Sequence, residues 1–282
     1  MKAPVRILPF MGLAIACHGF AGAAVVASDD FSSGSLNGGS GWLNDWTPAA
    51  TAPNPPVTSD ASPLTTGGGN YLSVGPTSVS ANTTHAVSRQ FAATTASSPY
   101  TVSFDWRMES ALTNFTTFND RVHIGASTGN INSNDTFSWL VGVSAADNGT
   151  TNTVPDGNWY VFNYTTNNAF SGANLVDTGI KLASQVTYSF VVDVVPGSRN
   201  YTVQISGSDG SSYTSGNLRF RNNSTTIATN TLVFGSVTHS PEDTTTFSFD
   251  NVSIEGVPEP GSALLAGMAA LAGLGIRGRR KD

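Results

Sequence analysis

The chain has 282 residues, of which 39% are hydrophobic and only 11% charged, with a mean hydropathy of −0.07. That length suits one large β domain or two smaller ones, and a charged content far below the usual figure of about 25% argues against a disordered tail and against a helix-rich cytosolic enzyme. Between residues 28 and 256, seven Lys/Arg face seventeen Asp/Glu, a net charge of −10 that repels nucleic acid.

The N-terminus opens on Lys2 and Arg6, runs apolar to Ala16, and reaches the small residues Ala21-Gly22-Ala23-Ala24. This order predicts a signal peptide over residues 1–24, because signal peptidase requires small side chains at −3 and −1; cleavage after Ala23 or Ala24 meets that requirement, with Ala27 a later option. Cys17 is the only cysteine, so removal of the leader leaves a chain with no thiol for disulfides, metal sites or nucleophilic catalysis.

Residues 25–256 read as an all-β domain. The sequence Tyr100-Thr-Val-Ser-Phe-Asp-Trp-Arg-Met108 alternates apolar and polar side chains, the pattern of a half-buried strand, and residues 186–194 repeat it. Residues 201–205, 137–143 and 247–254 add further runs, and weaker ones lie at 71–74, 87–91, 121–125, 159–164, 218–220 and 232–234. Turn residues such as Asp156-Gly157 and Asp209-Gly210 separate them. About a dozen antiparallel strands predict a double-sheet jelly-roll β-sandwich. Residues 34–69, rich in Gly, Asn and Pro, read as long irregular loops.

Residues 257–282 hold Val257-Pro258-Glu259-Pro260-Gly261, an apolar run over 263–276, and the basic cluster Arg277-Gly278-Arg279-Arg280-Lys281. The run reaches about 21 Å as a helix against a hydrocarbon core of about 30 Å, so it predicts a short transmembrane helix with its basic end in the cytoplasm. This tripartite tail resembles the PEP-CTERM sorting signal of Gram-negative bacteria. The resemblance implies an exosortase as processing partner near Pro258, Glu259 and Pro260. It also implies a protein anchored transiently in the inner membrane and then placed at the cell surface or in the exopolysaccharide matrix.

Four segments carry a second resemblance: Ala27-Ser28-Asp29-Asp30-Phe31, Asn37-Gly38-Gly39-Ser40-Gly41-Trp42, Gly69-Asn70-Tyr71-Leu72-Ser73-Val74 and Phe249-Asp250-Asn251-Val252. They look like the concanavalin A-like, laminin G-like sandwiches. That likeness implies a structural calcium where the first and last strands meet, with Asp30 and Asp250 supplying hard oxygens. The competing reading has both carboxylates bonded to loop amides.

Sandwiches of this superfamily include glycoside hydrolases, yet no Glu-x-Asp-x-Glu-like run occurs. Asp105 and Glu109 share a strand face about 13 Å apart, too far for a glycosidase pair at about 5–9.5 Å. With Arg107 between them they read as a charge ladder. Gly125-Ala126-Ser127-Thr128-Gly129 precedes a polar loop rather than the helix a nucleophile elbow needs. Asn130-x-Asn132-x-Asn134 lacks the Gly and Glu of a calcium-binding EF-hand loop. His85, His123 and His239 stand isolated in the sequence and read as surface residues.

Aromatic faces stack on sugar rings, and Trp42 and Trp46 lie among Asn and Asp in the irregular region, while Trp159 and Tyr160 follow a turn. These four are the expected ligand-binding residues; packing of loops onto the sandwich is the alternative. The sequence reading is therefore a non-catalytic, exported sandwich contacting polysaccharide, with a glycan hydrolase or lyase as the alternative.

Overall fold

The computed structural model describes residues 23–48, 57–60, 64, 69–75, 83–112, 120–128, 136–144, 157–164, 174–221, 229–238 and 245–256. Alternation dictates the architecture. Along β6 (Tyr100–Met108) the side chains of Tyr100, Val102, Phe104 and Trp106 are buried, while Thr101, Ser103 and Asp105 between them are half-buried. β11 (Thr187–Val195) and β12 (Asn200–Gly207) alternate in the same sense. Period-two burial fixes the register, because a slip by one residue would turn every apolar side chain outward.

The other strands in chain order are β1 (Ala24–Asp29), β2 (Thr47–Pro48), β3 (Val57–Asp60), β4 (Gly69–Val74) and β5 (Thr83–Gln90), then β7 (Arg121–Ser127), β8 (Phe137–Ser144), β9 (Asn158–Phe162) and β10 (Leu175–Lys181). β13 (Ser212–Thr214), β14 (Leu218–Arg219), β15 (Thr231–Thr238) and β16 (Phe247–Gly256) complete the set, and a five-residue helix, α1 (Ala93–Ser97), joins β5 to β6. A nine-stranded sheet has the order β13-β12-β11-β6-β16-β4-β3, with β1 also on β16 and β14 on β12. A seven-stranded sheet runs β10-β9-β8-β7-β15-β5-β2. The ladders between these strands are antiparallel.

The two sheets face each other across an aromatic core. Phe234 of β15 stacks on Phe249 of β16 with centroids 4.0 Å apart, and Trp106 of β6 meets Trp159 of β9 edge to face at 5.1 Å. Tyr201 of β12 reaches through the core to donate its hydroxyl to the carbonyl of Phe162 in the opposite sheet. Burial pushes the pKa of that phenol well above its ordinary value, so it stays a protonated donor.

An all-β sandwich of two antiparallel sheets is therefore what the alternation predicted. The irregular region 34–69 contains more order than expected, with the short strands β2 and β3 and bridges from Ser40 to Ser28 and from Trp42 to Phe91. No helix among the described residues is long and apolar enough to cross a membrane. Residues 1–22 of the predicted leader over 1–24, and the sorting tail over 257–282 with Pro258, Glu259, Pro260 and the apolar run, lie outside the described residues.

Candidate functional site

The first and last strands meet at a polar junction. β1 pairs with the C-terminal half of β16, and the chain then turns at Phe31 and folds back through Gly39 and Gly41 against β1. Both glycines adopt positive φ, and a Cβ on Gly41 would lie 1.8 Å from the Val26 carbonyl oxygen, so only glycine permits this approach. Behind the turn, Asp29 is fully buried and forms an ion pair with Arg89 of β5. The oxygen paired with Arg89 also accepts the Trp46 indole N–H at 3.0 Å, and the other oxygen accepts the Phe31 amide at 2.9 Å. Arg89 also donates to the carbonyls of Asn44 and Gly38, at 2.8 Å each, and lies 5.0 Å from the Trp42 ring centroid. One buried guanidinium thereby orders the whole loop from 38 to 46.

In front of this clamp lies a pocket of about 300 Å³ lined by Ser28, Asp29, Asp30, Gly39, Ser40, Asn251, Val252 and Ser253. Trp42, half-buried, donates its indole N–H at 3.0 Å to the carbonyl of Ser28, one of the lining residues. Asp30 is exposed and caps the Ser32 amide at 3.0 Å, and its bonds to Ser32 hold its carboxyl below the usual carboxylate range.

Beside the pocket, Asp250 of β16 stands directly opposite Asp105 of β6 on the outer face of the nine-stranded sheet. Asp250 is 3% exposed, and burial pushes its carboxyl up to about 7, against a hydrogen bond from the Asn251 amide; the nearby charges of Asp105, Asp30 and Asp29 add to the rise. Asp105 accepts hydrogen bonds from the Ser189 hydroxyl and from Asn251 Nδ2 at 2.9 Å. Asn251 holds positive φ in the bulge that interrupts this pairing before it resumes at Ser253.

The expected calcium can be tested against these donors. Asp29 is committed to Arg89 and Trp46, and Asp250 is buried and accepts the Asn251 amide. Among the described residues no group of three or more His, Cys, Asp or Glu side chains stands close enough to share an ion. Calcium takes about six to eight oxygens, so Asp30 and Asp250 would supply only part of a shell that backbone carbonyls would have to complete.

A second polar cluster lies on the outer face of the seven-stranded sheet. One register row runs Ala86–Gly235–His123–Gly142–Tyr160–Asp177 across β5, β15, β7, β8, β9 and β10. The rings lie over the glycines: a Cβ on Gly235 would meet His123 Nε2 at 2.5 Å, and one on Gly142 would meet Tyr160 Oη at 2.4 Å. His123 is buried, and burial together with the charges of Arg121 and Arg221 pushes its imidazole down to about 3, so it is neutral. Burial pushes the Tyr160 phenol up to about 12. Neither His85 nor His123 is a surface residue, and neither has a hydrogen-bond partner among the described residues.

Three of the four expected sugar-stacking aromatics lack the surface that stacking needs. Trp46 and Tyr160 are 1% exposed, and Trp159 is 0% exposed. Trp46 packs on Phe249 at 5.1 Å and Trp159 on Phe190 at 5.1 Å, inside the sandwich. Trp159 and Tyr160 are adjacent in one strand and so point to opposite faces. Trp42 alone of the four keeps accessible surface. The structure gathers Trp42, Trp46, Asp30 and Asp250 around one junction. Sequence reading missed Asp29, Arg89 and Asn251. Glycines and Asn in the turn were the available signal, but Arg89, 60 residues from Asp29, carried none.

No protein-family model and no curated protein matches the chain. Among solved structures it is similar to a GH131 β-glucanase catalytic domain from Podospora anserina, with a TM-score of 0.55 and 12% identity over 82% of this chain and 96% of that one. A family 131 glycoside hydrolase catalytic domain from Coprinopsis cinerea gives 0.53 and 13% over 84% and 95%. A sialidase gives 0.48 and 16% over 82% of this chain, which spans only 18% of the sialidase's length. At such identities the two GH131 likenesses establish the fold, a sandwich of two antiparallel β-sheets, and nothing about the chemistry.

Proposed function

We propose that this sandwich is exported, is processed by an exosortase at Pro258-Glu259-Pro260, and contacts polysaccharide without catalysis at the cell surface or in the matrix. The observation that carries the binding reading is the polar pocket lined by Ser28, whose carbonyl holds the Trp42 indole. Its hydroxyls, the Asp30 carboxylate and the Asn251 amide supply the hydrogen bonds a sugar edge takes, next to an indole fixed by Ser28 and Arg89. Preorganised contacts of this kind lose little side-chain entropy on binding.

A specific observation favours a second reading, a glycan hydrolase. Residues directly opposed in an antiparallel pair have Cβ atoms about 4.5–5.5 Å apart. With their Cβ atoms this close, the Asp105 and Asp250 carboxyl groups can reach the separation of about 5–5.5 Å used by retaining glycosidases. A carboxyl raised to about 7 is suited to donate a proton.

One experiment separates the two. A panel of neutral and acidic polysaccharides is measured for binding and for release of reducing ends, with wild type, Trp42→Ala, Asp30→Asn and Asp250→Asn checked for unchanged melting. The binding reading expects at least tenfold weaker affinity for Trp42→Ala and Asp30→Asn, with no reducing ends released. Binding indifferent to both substitutions would sink it. Reducing ends lost only in Asp250→Asn would establish the hydrolase instead.

A further inference from the structure

The position of leader removal is written in the strand pairing at the junction. β16 has two successive neighbours on one side: β4 along Phe247, Ser248 and Phe249, and β1 from Val252 to Gly256. The β1 register sets Ala24 against Gly256 and Val25 against Glu255, then, past a bulge, Ala27 against Ile254, Ser28 against Ser253 and Asp29 against Val252. Without β1, the C-terminal half of β16 loses its hydrogen-bonding partner on that side.

β1 is held from its other side as well. The Ser28 amide donates to the Ser40 carbonyl at 2.9 Å, and the Ser40 amide returns a bond to Ser28 at 2.8 Å. Val26 fills the space that Gly41 leaves open, and Ala27 is fully buried in the core. Of the three bonds with suitable small residues, cleavage after Ala27 would delete Ala24 through Ala27, including that core side chain. Cleavage after Ala24 would remove the partner of Gly256. Cleavage after Ala23 leaves the strand whole, and Ala23 and Ala24 are both exposed.

We infer that the leader is removed at the Ala23–Ala24 bond, so that the mature N-terminus is itself the first residue of the sheet. Water adds across that amide, leaving a carboxylate on Ala23 of the leader and an amine on Ala24 of the mature chain. The new terminus then lies one strand spacing, about 4.8 Å, from the last residue of β16, just before Val257 and Pro258. Both ends of the folded unit therefore leave it side by side. This inference rests on the export reading proposed above.

The test is the intact mass and N-terminal peptide of the exported product of the full chain expressed in a Gram-negative bacterium. The expected N-terminus is Ala24. A product beginning at Val25, Ser28 or beyond would overturn the inference while leaving export standing, whereas a product that keeps Met1 would remove the export reading and the inference with it. A second arm uses the full-length Val25→Cys/Glu255→Cys variant, since opposed Cα atoms at about 4.5–5.5 Å are within disulfide reach. Cys17 departs with the leader, so the unreduced, denatured product should show no free thiol. One free thiol would mean that residue 25 was lost with the leader, and two would mean that the strands are not paired in this register; either result overturns the inference.

Discussion

The junction around Asp29 and the outer face of the seven-stranded sheet both bury polar side chains, and they resolve the cost in opposite ways. At the junction each charge is answered: the Asp29 carboxylate has Arg89, the Trp46 indole and the Phe31 amide, and the Arg89 guanidinium has two carbonyls besides. On the sheet face, His123 has no hydrogen-bond partner among the described residues and is buried as a neutral ring over Gly235. Charge is kept where partners converge and discarded where they do not. The first arrangement is brittle to loss of one partner, and the second is sensitive to shape.

The largest expected effect follows at the junction. Arg89→Ala strands a buried carboxylate, and removing one member of such a pair costs about 3–5 kcal/mol. Urea titration should show a matching fall in the unfolding midpoint, and Arg89→Lys should recover only part of it, because an ammonium cannot reach Asp29, Asn44 and Gly38 in one plane. If Arg89→Ala melts within 1 °C of wild type, the clamp does not organise the loop.

Shape governs the second effect. Gly142→Ala places a methyl 2.4 Å from Tyr160 Oη and 2.7 Å from the Val122 carbonyl, so ring and strand must both shift. Overpacking of this kind costs about 1–3 kcal/mol. Gly142→Ala combined with Tyr160→Ala should regain part of the loss, and a double variant no more stable than the sum of the two single effects would show that the ring is not what the glycine accommodates.

How far these features could be read in the sequence depended on whether the signal was local. β6, β11 and β16 were legible because one face is apolar and the other polar over eight or more residues. β1 was not, because Ala24, Val25, Val26 and Ala27 belong equally well to the end of a leader. β10 was hidden by Thr178 and Gly179 in its middle. The exposure of Trp46 was misread because its neighbours Asn44 and Asp45 are polar, while its own side chain turns inward to Asp29. The opposition of Asp105 and Asp250 joins residues 145 positions apart, and only the β6–β16 register reveals it.

The smallest effect separates the two regions by pH. Asp250 has a folded value of about 7, above the ordinary carboxylate range, so between about pH 4 and 7 the folded chain holds a proton that the unfolded chain has released. Its contribution therefore weakens stability as pH rises through that window. His123 works the other way. Its folded value of about 3 lies below the ordinary 6.5, so the unfolded chain gains a proton first as pH falls, and stability declines toward acid. Asp250→Asn should flatten the decline above pH 5 and leave the acid limb in place, whereas His123→Phe should relieve the acid limb and leave the upper decline. Denaturant midpoints measured from pH 4 to pH 8 in the three proteins decide the matter, and parallel curves for wild type and Asp250→Asn would mean that this carboxyl is not held protonated by burial at the junction.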